Sequence, residues 1–226
     1  MSDVAIGPLS LERAVNRSAG ENIERVRTRH IEQARRIIQA ARRLVTTKGN
    51  AFTTQELIKE AKIALQTFYR YFASKDELIL AVIEDMVAEA AHVASEHGAS
   101  IEDPLERLHF YTATILGGLS TEADYHSAQF MAIEHWRLLA QYPSEVARAS
   151  SAYTSLLREA IEAGVKNNLL DTPDADEAAT LLTHLVRSIF MHQAFLGPSE
   201  AVSTTPDQLW AFCLRGLNVV AVHESR

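Results

Sequence analysis

The stretch TTQELIKEAKIALQTFYRYFASKDEL, residues 53–78, packs two helix starts and a tight turn into a short span. Thr53-Thr54-Gln55-Glu56 reads as a capping box, because a threonine hydroxyl accepts from the amide three residues on while the glutamate there reaches back to the cap amide. A short helix therefore begins here, with Leu57, Ile58 and Ala61 on one face, and stops near Lys62. A second short helix over residues 65–72 follows after about three residues, and helices joined so tightly must cross at a large angle. Ser74-Lys75-Asp76-Glu77 is a second capping box; it opens a long helix striped by Leu78, Ala81, Val82 and Met86 that ends by His97-Gly98.

Upstream, Ile31, Ala34, Ile37, Ile38, Ala41, Leu44 and Val45 recur at helical spacing, and Lys48-Gly49-Asn50 supplies the cation and glycine of a C-terminal end. Residues 1–28 have no sustained periodicity and contain Gly7, Pro8 and Gly20, so an N-terminal arm, partly disordered, is expected ahead of a compact head over 29–78. Downstream, helical segments near 104–119, 125–141, 144–168, 174–196 and 206–222 are separated by Gly117-Gly118, Pro143, Asn167-Asn168, Asp171-Thr172-Pro173 and Gly197-Pro198. No run alternates as a strand would. The expected fold is all-α with about nine helices, a head of three helices and a helical body over 79–226, the division falling inside the long helix after Ser74.

The net charge of −7 conceals a marked asymmetry. Residues 23–75 hold twelve Lys or Arg against four acids, a local charge of +8, while the rest of the chain carries −15. A basic head on an acidic body points to a polyanion partner for the head. Cys213 is the only cysteine, which excludes an internal disulfide framework and any multi-cysteine zinc site. No apolar run approaches the roughly 20 residues of a membrane span, and a cytoplasmic protein is expected.

A helix entering the major groove must show donors to bases and phosphates on one face and apolar side chains to its support on the other. In the second short helix Leu65, Phe68 and Phe72 are placed to pack inward, which leaves Gln66, Thr67, Tyr69, Arg70 and Tyr71 to face or flank DNA. Gln and Arg pair with adenine and guanine edges, Thr with a base or a thymine methyl, and Tyr hydroxyls with phosphate oxygens. Lys75, in the first turn of the next helix, suits a phosphate held near free amides. Thr53, Thr54 and Gln55 complete the candidate DNA-facing set.

The stretch ARRIIQAARRLVTTKGNAFTTQELIKEAKIALQTFYRYFASKDEL, residues 34–78, resembles the TetR family of transcriptional regulators in the Ile-Ile-x-Ala-Ala core, the Gly49 turn, the Thr-capped second helix, Thr67-Phe68-Tyr69-x-Tyr71-Phe72 and Ser74-Lys75-Asp76-Glu77-Leu78. The resemblance covers about a fifth of the chain. It implies that Tyr69, Tyr71 and Lys75 hold phosphates and that Gln66, Thr67, Leu65 and Arg70 approach bases. It also implies a ligand-binding body that forms a homodimer through helices 174–196 and 206–222, two heads reading a palindromic operator in double-stranded DNA, and release from it, as a repressor, by a small apolar effector. Lys62 stands where family members often have glycine, so that residue either avoids a left-handed conformation or accepts its cost. Arg25, Arg27 and Arg29 either reach a minor groove or belong to a solvated tail.

In the body, aromatic residues group around Gly117-Gly118. They read either as ordinary core or as a cavity lined by Phe110, Leu116, Phe130 and Trp136, with His109, His135 or Tyr153 as its polar handle. His92 with His97, and His184 with His192, lack the i, i+4 spacing of a helical zinc motif, so no metal site is expected. No glycine-rich phosphate loop, nucleophile elbow or cofactor motif is present, and Asp174, Asp176 and Glu177 read as helix N-terminal acids; an enzyme is not expected, and no cofactor. The rival readings are a helical adaptor for an acidic protein and a small-molecule enzyme.

Overall fold

The computed structural model describes residues 24–196 and 205–220. Among them run ten α-helices and no strand: α1 (Glu24–Lys48), α2 (Thr54–Glu60), α3 (Leu65–Tyr71), α4 (Lys75–Gly98), α5 (Pro104–Leu116), α6 (Glu122–Leu139), α7 (Pro143–Ala149), α8 (Ser151–Lys166), α9 (Ala175–Leu196) and α10 (Pro206–Gly216). The all-α expectation holds. Helix α1 starts earlier than its apolar spacing marks, because nothing between Glu24 and His30 is a proline or glycine and arginine propagates a helix well. Of the arm expected over residues 1–28, residues 24–28 belong to α1, and residues 1–23 lie outside the described residues. One expected helix is two: the Ser150 amide bonds to Ala147 O at 3.2 Å and its hydroxyl to Val146 O at 3.3 Å, so the ladder tightens and α7 ends before α8 begins.

Contacts divide the chain into two compact units, the residues up to Ala88 with Gln129–Ser150, and Glu89–Ala128 with the residues from Ser151 onward. Helices α4 and α6 each run through both. In the first unit, α1 contributes Ala34, Ile37, Ile38, Ala41 and Val45 to a dry core that also takes Phe52, Leu57, Phe68, Phe72, Leu78 and Val82. The same core holds Phe130 and Leu138 of α6 and Val146 and Ala149 of α7. Charged clamps hold its rim. Arg42 binds Asp85 at 2.8 Å, and Arg137 binds both Asp76 and the buried Glu134 at 2.6 Å. The second unit packs α8 between α5 and α9, with α10 against α5. An isolated bridge from Leu170 to Val219 ties the α8–α9 link to the end of α10.

The Thr53 capping box forms as expected: the Glu56 amide donates to Thr53 Oγ1 at 3.2 Å and the Thr53 amide to Glu56 Oε2 at 2.8 Å. The Lys48 ammonium binds the other carboxylate oxygen. Lys48 first, then Thr53, hold the Glu56 carboxyl down to about 2 from an ordinary 4.5. A depressed carboxyl stabilises the fold fully above its unfolded pKa and loses that contribution as pH falls through the folded value. The Glu56→Ala variant is therefore expected to have a lower urea midpoint at neutral pH, with the gap to wild type closing between pH 4.5 and 2. A gap constant across that window would assign the cap's stabilisation to something other than the ionised carboxylate.

Candidate nucleic-acid interface

Helix α2 ends in a Schellman turn: the Ile63 amide donates to Ile58 O at 3.0 Å and the Lys62 amide to Lys59 O at 3.3 Å. Ile58 and Ile63, the apolar pair that accompanies this turn, both pack against the core. The turn places Lys62 at φ 53, in the left-handed region. Of the two readings of Lys62, the structure therefore takes the strained one, at a cost of roughly 1 to 2 kcal/mol for a residue with a Cβ. Gly49, at φ 59, supplies the same conformation after α1 without that cost.

The turn aims α3 so that Phe68, Tyr71 and Phe72 are buried while Gln66, Tyr69 and Arg70 are exposed and Thr67 is half-buried. Tyr71 corrects the expectation of a phosphate ligand. It is 2% exposed, and its hydroxyl shares a hydrogen bond with His30 Nδ1 at 2.8 Å, so it belongs to the core. Leu65 corrects the packing expectation in the other direction, being 48% exposed at the first turn. The Arg70 guanidinium lies 5.3 Å above the Tyr71 ring, which steadies a long side chain at the surface.

Around this helix, Thr53 commits its hydroxyl to the cap as acceptor and donor, which removes that side chain from the DNA-facing set. Thr54 is half-buried and Gln55 exposed. Lys75 is half-buried: Nζ donates to Phe52 O at 2.7 Å and sits 4.5 Å from the Phe52 ring centre. An ammonium has three donors, so this anchor fixes the position of the cation without exhausting it. Beside it Ser74 Oγ accepts from the Glu77 amide at 3.1 Å, while the Glu77 carboxylate reaches back to the Ala73 amide, one residue earlier than a regular box.

A profile described as bacterial regulatory proteins, tetR family, matches residues 37–82, which run from the middle of α1 through α2 and α3 into α4. The head is therefore similar to that of TetR-family regulators. An uncharacterized HTH-type transcriptional regulator of Bacillus subtilis (strain 168), YvaF, is 36% identical over 59 residues, and the match covers 26% of this chain and 31% of that protein. The fold extends the likeness. RolR, crystallised with resorcinol, superposes with a TM-score of 0.64 at 21% identity over 84% of this chain and 89% of that one. The fatty acid degradation regulator FadR from Bacillus halodurans does so with a TM-score of 0.65 at 17% identity, over 81% and 99%.

The cavity residues expected in the body are divided between the two units. Phe130, His135 and Trp136 lie in the first, because α6 passes from one unit to the other at Gln129. Phe130 is fully buried in that unit's core, His135 is buried, and Trp136 is 66% exposed and walls no enclosed space. In the second unit Leu116 and Tyr153 are buried, and the Tyr153 hydroxyl donates to Tyr111 O at 2.5 Å, so it is spent inside the protein. Burial pushes both the Tyr153 and Tyr111 phenols above their ordinary value. Phe110 is half-buried; His109 stacks on Trp210, ring centres 4.9 Å apart. On the same helix Arg107 Nε and His109 Nε2 are buried without a hydrogen-bond partner among the described residues; Asp207 approaches His109 only to 3.6 Å.

Sequence reading missed the His30–Tyr71 bond, since it joins residues 41 positions apart; the signal available was a histidine one turn before Ala34 on the apolar side of α1. The two tyrosines of α3 now separate experimentally. Tyr71→Phe is expected to lower unfolding free energy by about 0.5 to 1.5 kcal/mol through the lost hydrogen bond. Tyr69→Phe should leave it within about 0.5 kcal/mol. Denaturant unfolding of both variants checks this, and equal losses would erase the distinction between a core and a surface tyrosine.

Proposed function

We propose that the chain is a cytoplasmic, homodimeric transcriptional regulator that binds a palindromic operator in double-stranded DNA as a repressor and is released by a small apolar molecule. One observation carries the reading: a family-matched helix pair buries Phe68, Tyr71 and Phe72 while turning Gln66, Tyr69 and Arg70 outward, as a base-reading helix must. Gln66 and Arg70, with Leu65 and Thr67, read base edges, while Tyr69 and Lys75 hold phosphates and Gln55 flanks them.

Dimerisation is supported by Leu181 and Phe195 of α9 and Phe212 of α10, large apolar side chains that stand 62%, 57% and 58% exposed on the helices assigned to it. Two joined heads make the second half-site contact effectively intramolecular. For the effector, RolR was crystallised with resorcinol. In this chain Arg107 Nε and His109 Nε2, buried without a hydrogen-bond partner among the described residues, on the helix that also carries Phe110 and Leu116, offer the polar handle of such a site. An effector acts only through different affinities for the bound and released states, and α4 and α6, which each belong to both units, are covalent routes between them.

Selection of duplexes from a random-sequence pool by the purified protein at two salt concentrations tests the reading. A palindrome is expected, and salt-sensitive background alone would overturn sequence reading by this head. Against the selected site, Gln66→Ala is expected to relax one base position by roughly 1 to 3 kcal/mol and leave the others unchanged. Phe212→Asp is expected to shift sedimentation from dimer to monomer; a dimer unaffected by it would move the interface off α10.

A further inference from the structure

Helix α3 has a second edge. A groove of about 890 Å³ lies between α1 and the turn that leads into α3, walled by Arg29, Gln33 and Arg36 on one side and Lys62, Thr67 and Arg70 on the other. The α1 residues fall at i, i+4 and i+7, one continuous helical face. Arg43 closes one end and is neutralised there by Glu60 at 2.7 Å. Among the described residues no carboxylate pairs with Arg29, Arg36, Lys62 or Arg70, so the concave surface gathers uncompensated positive charge. Like charges crowded into a groove raise its potential and favour an anion there. Thr67 and Arg70 look into this groove about 100° around the helix from Gln66 and Tyr69, so whatever occupies it runs beside the base-reading face.

Lys62 supplies the independent observation. Its backbone is held left-handed at φ 53, where glycine would carry no strain, and its side chain is exposed, so packing gives no reason for a lysine. Strain of this kind persists where the surroundings enforce it, and it clusters at functional positions. The ammonium that this residue adds to the groove is what glycine would forgo.

We propose that the groove between α1 and the α2–α3 turn is a second phosphate-binding track, which seats the sugar-phosphate backbone flanking the base-reading helix, and that Lys62 is a DNA ligand in it. The proposal rests on the DNA-binding reading above. Arg36 and Arg29 extend the track along α1. Contacts to phosphate add affinity and orientation without base preference.

The test measures duplex affinity against salt for the full chain and for Lys62→Gly and the Lys62→Gln/Arg36→Gln double variant, using a mixed-sequence duplex. Each lost phosphate contact is expected to flatten the log–log salt slope by about 0.9, so by about 0.9 for K62G and about 1.8 for the double variant. Base preference in pool selection should not change. K62G should at the same time raise the thermal midpoint, since glycine relieves the left-handed turn. Tighter folding with weaker binding is an outcome that a purely structural lysine would not produce. A wild-type slope retained in both variants overturns the track while leaving the head a DNA reader; absence of salt-sensitive duplex binding by the wild type removes both readings. Inorganic tripolyphosphate, titrated at constant ionic strength, separates the sources of phosphate. Tight binding that the double variant abolishes, with the duplex salt slope unchanged, would make the groove a small-polyphosphate site and overturn the backbone assignment.

Discussion

Phe68, Tyr71 and Phe72 lock a helix of seven residues that is too short to persist through its own hydrogen bonds. Two of the rings are fully buried and the third is bonded to His30, so the orientation of α3 follows from the shape of the core beneath it. That orientation decides which side chains meet solvent, and the presentation of Gln66, Tyr69 and Arg70 inherits its precision from packing. The Schellman turn before α3 and the Lys75 anchor on Phe52 fix the two ends of the same element. A side chain on a locked helix reaches a base with little further loss of freedom, which is what selective readout requires.

Much of the head was readable because its signals are local. The Thr53 box, the Ser74 cap, the glycine after α1 and the apolar spacing of Ile37, Ile38 and Ala41 each act within a few residues, and the structure realises all of them. The errors came where distant partners decide. Tyr71 has the chemistry of a phosphate ligand, but a histidine on α1 claims its hydroxyl; Leu65 has the chemistry of a core residue, yet the crossing angle leaves it outside. In the body, aromatic content marked candidate walls for a cavity, but composition cannot say which residues share a core. Phe130 and Tyr153 turned out to serve different units. The break between α7 and α8 was hidden because serine neither forbids a helix nor demands an end.

The electrostatics of the two parts are also distinct. An acidic chain overall resists non-specific adsorption to polyanions, while the local excess of cations on α1, the turn and α3 restores attraction over one surface. The pairs Arg43–Glu60 and Lys48–Glu56 show that acids are available where the fold uses them. Arginines left unmatched on the neighbouring face of α1 are then a property of that face.

The second segment of the first unit has a consequence for how specificity can be moved between proteins. Gln129–Ser150 packs with the residues up to Ala88, and Phe130, Leu138, Val146 and Ala149 complete the core that also holds Phe68 and Phe72. The first unit is thus discontinuous in the gene. A chimaera spliced only within α4 would pair one protein's reading helix with another's supporting surface, so transplantable specificity requires two exchanged segments whose apolar shapes were selected together.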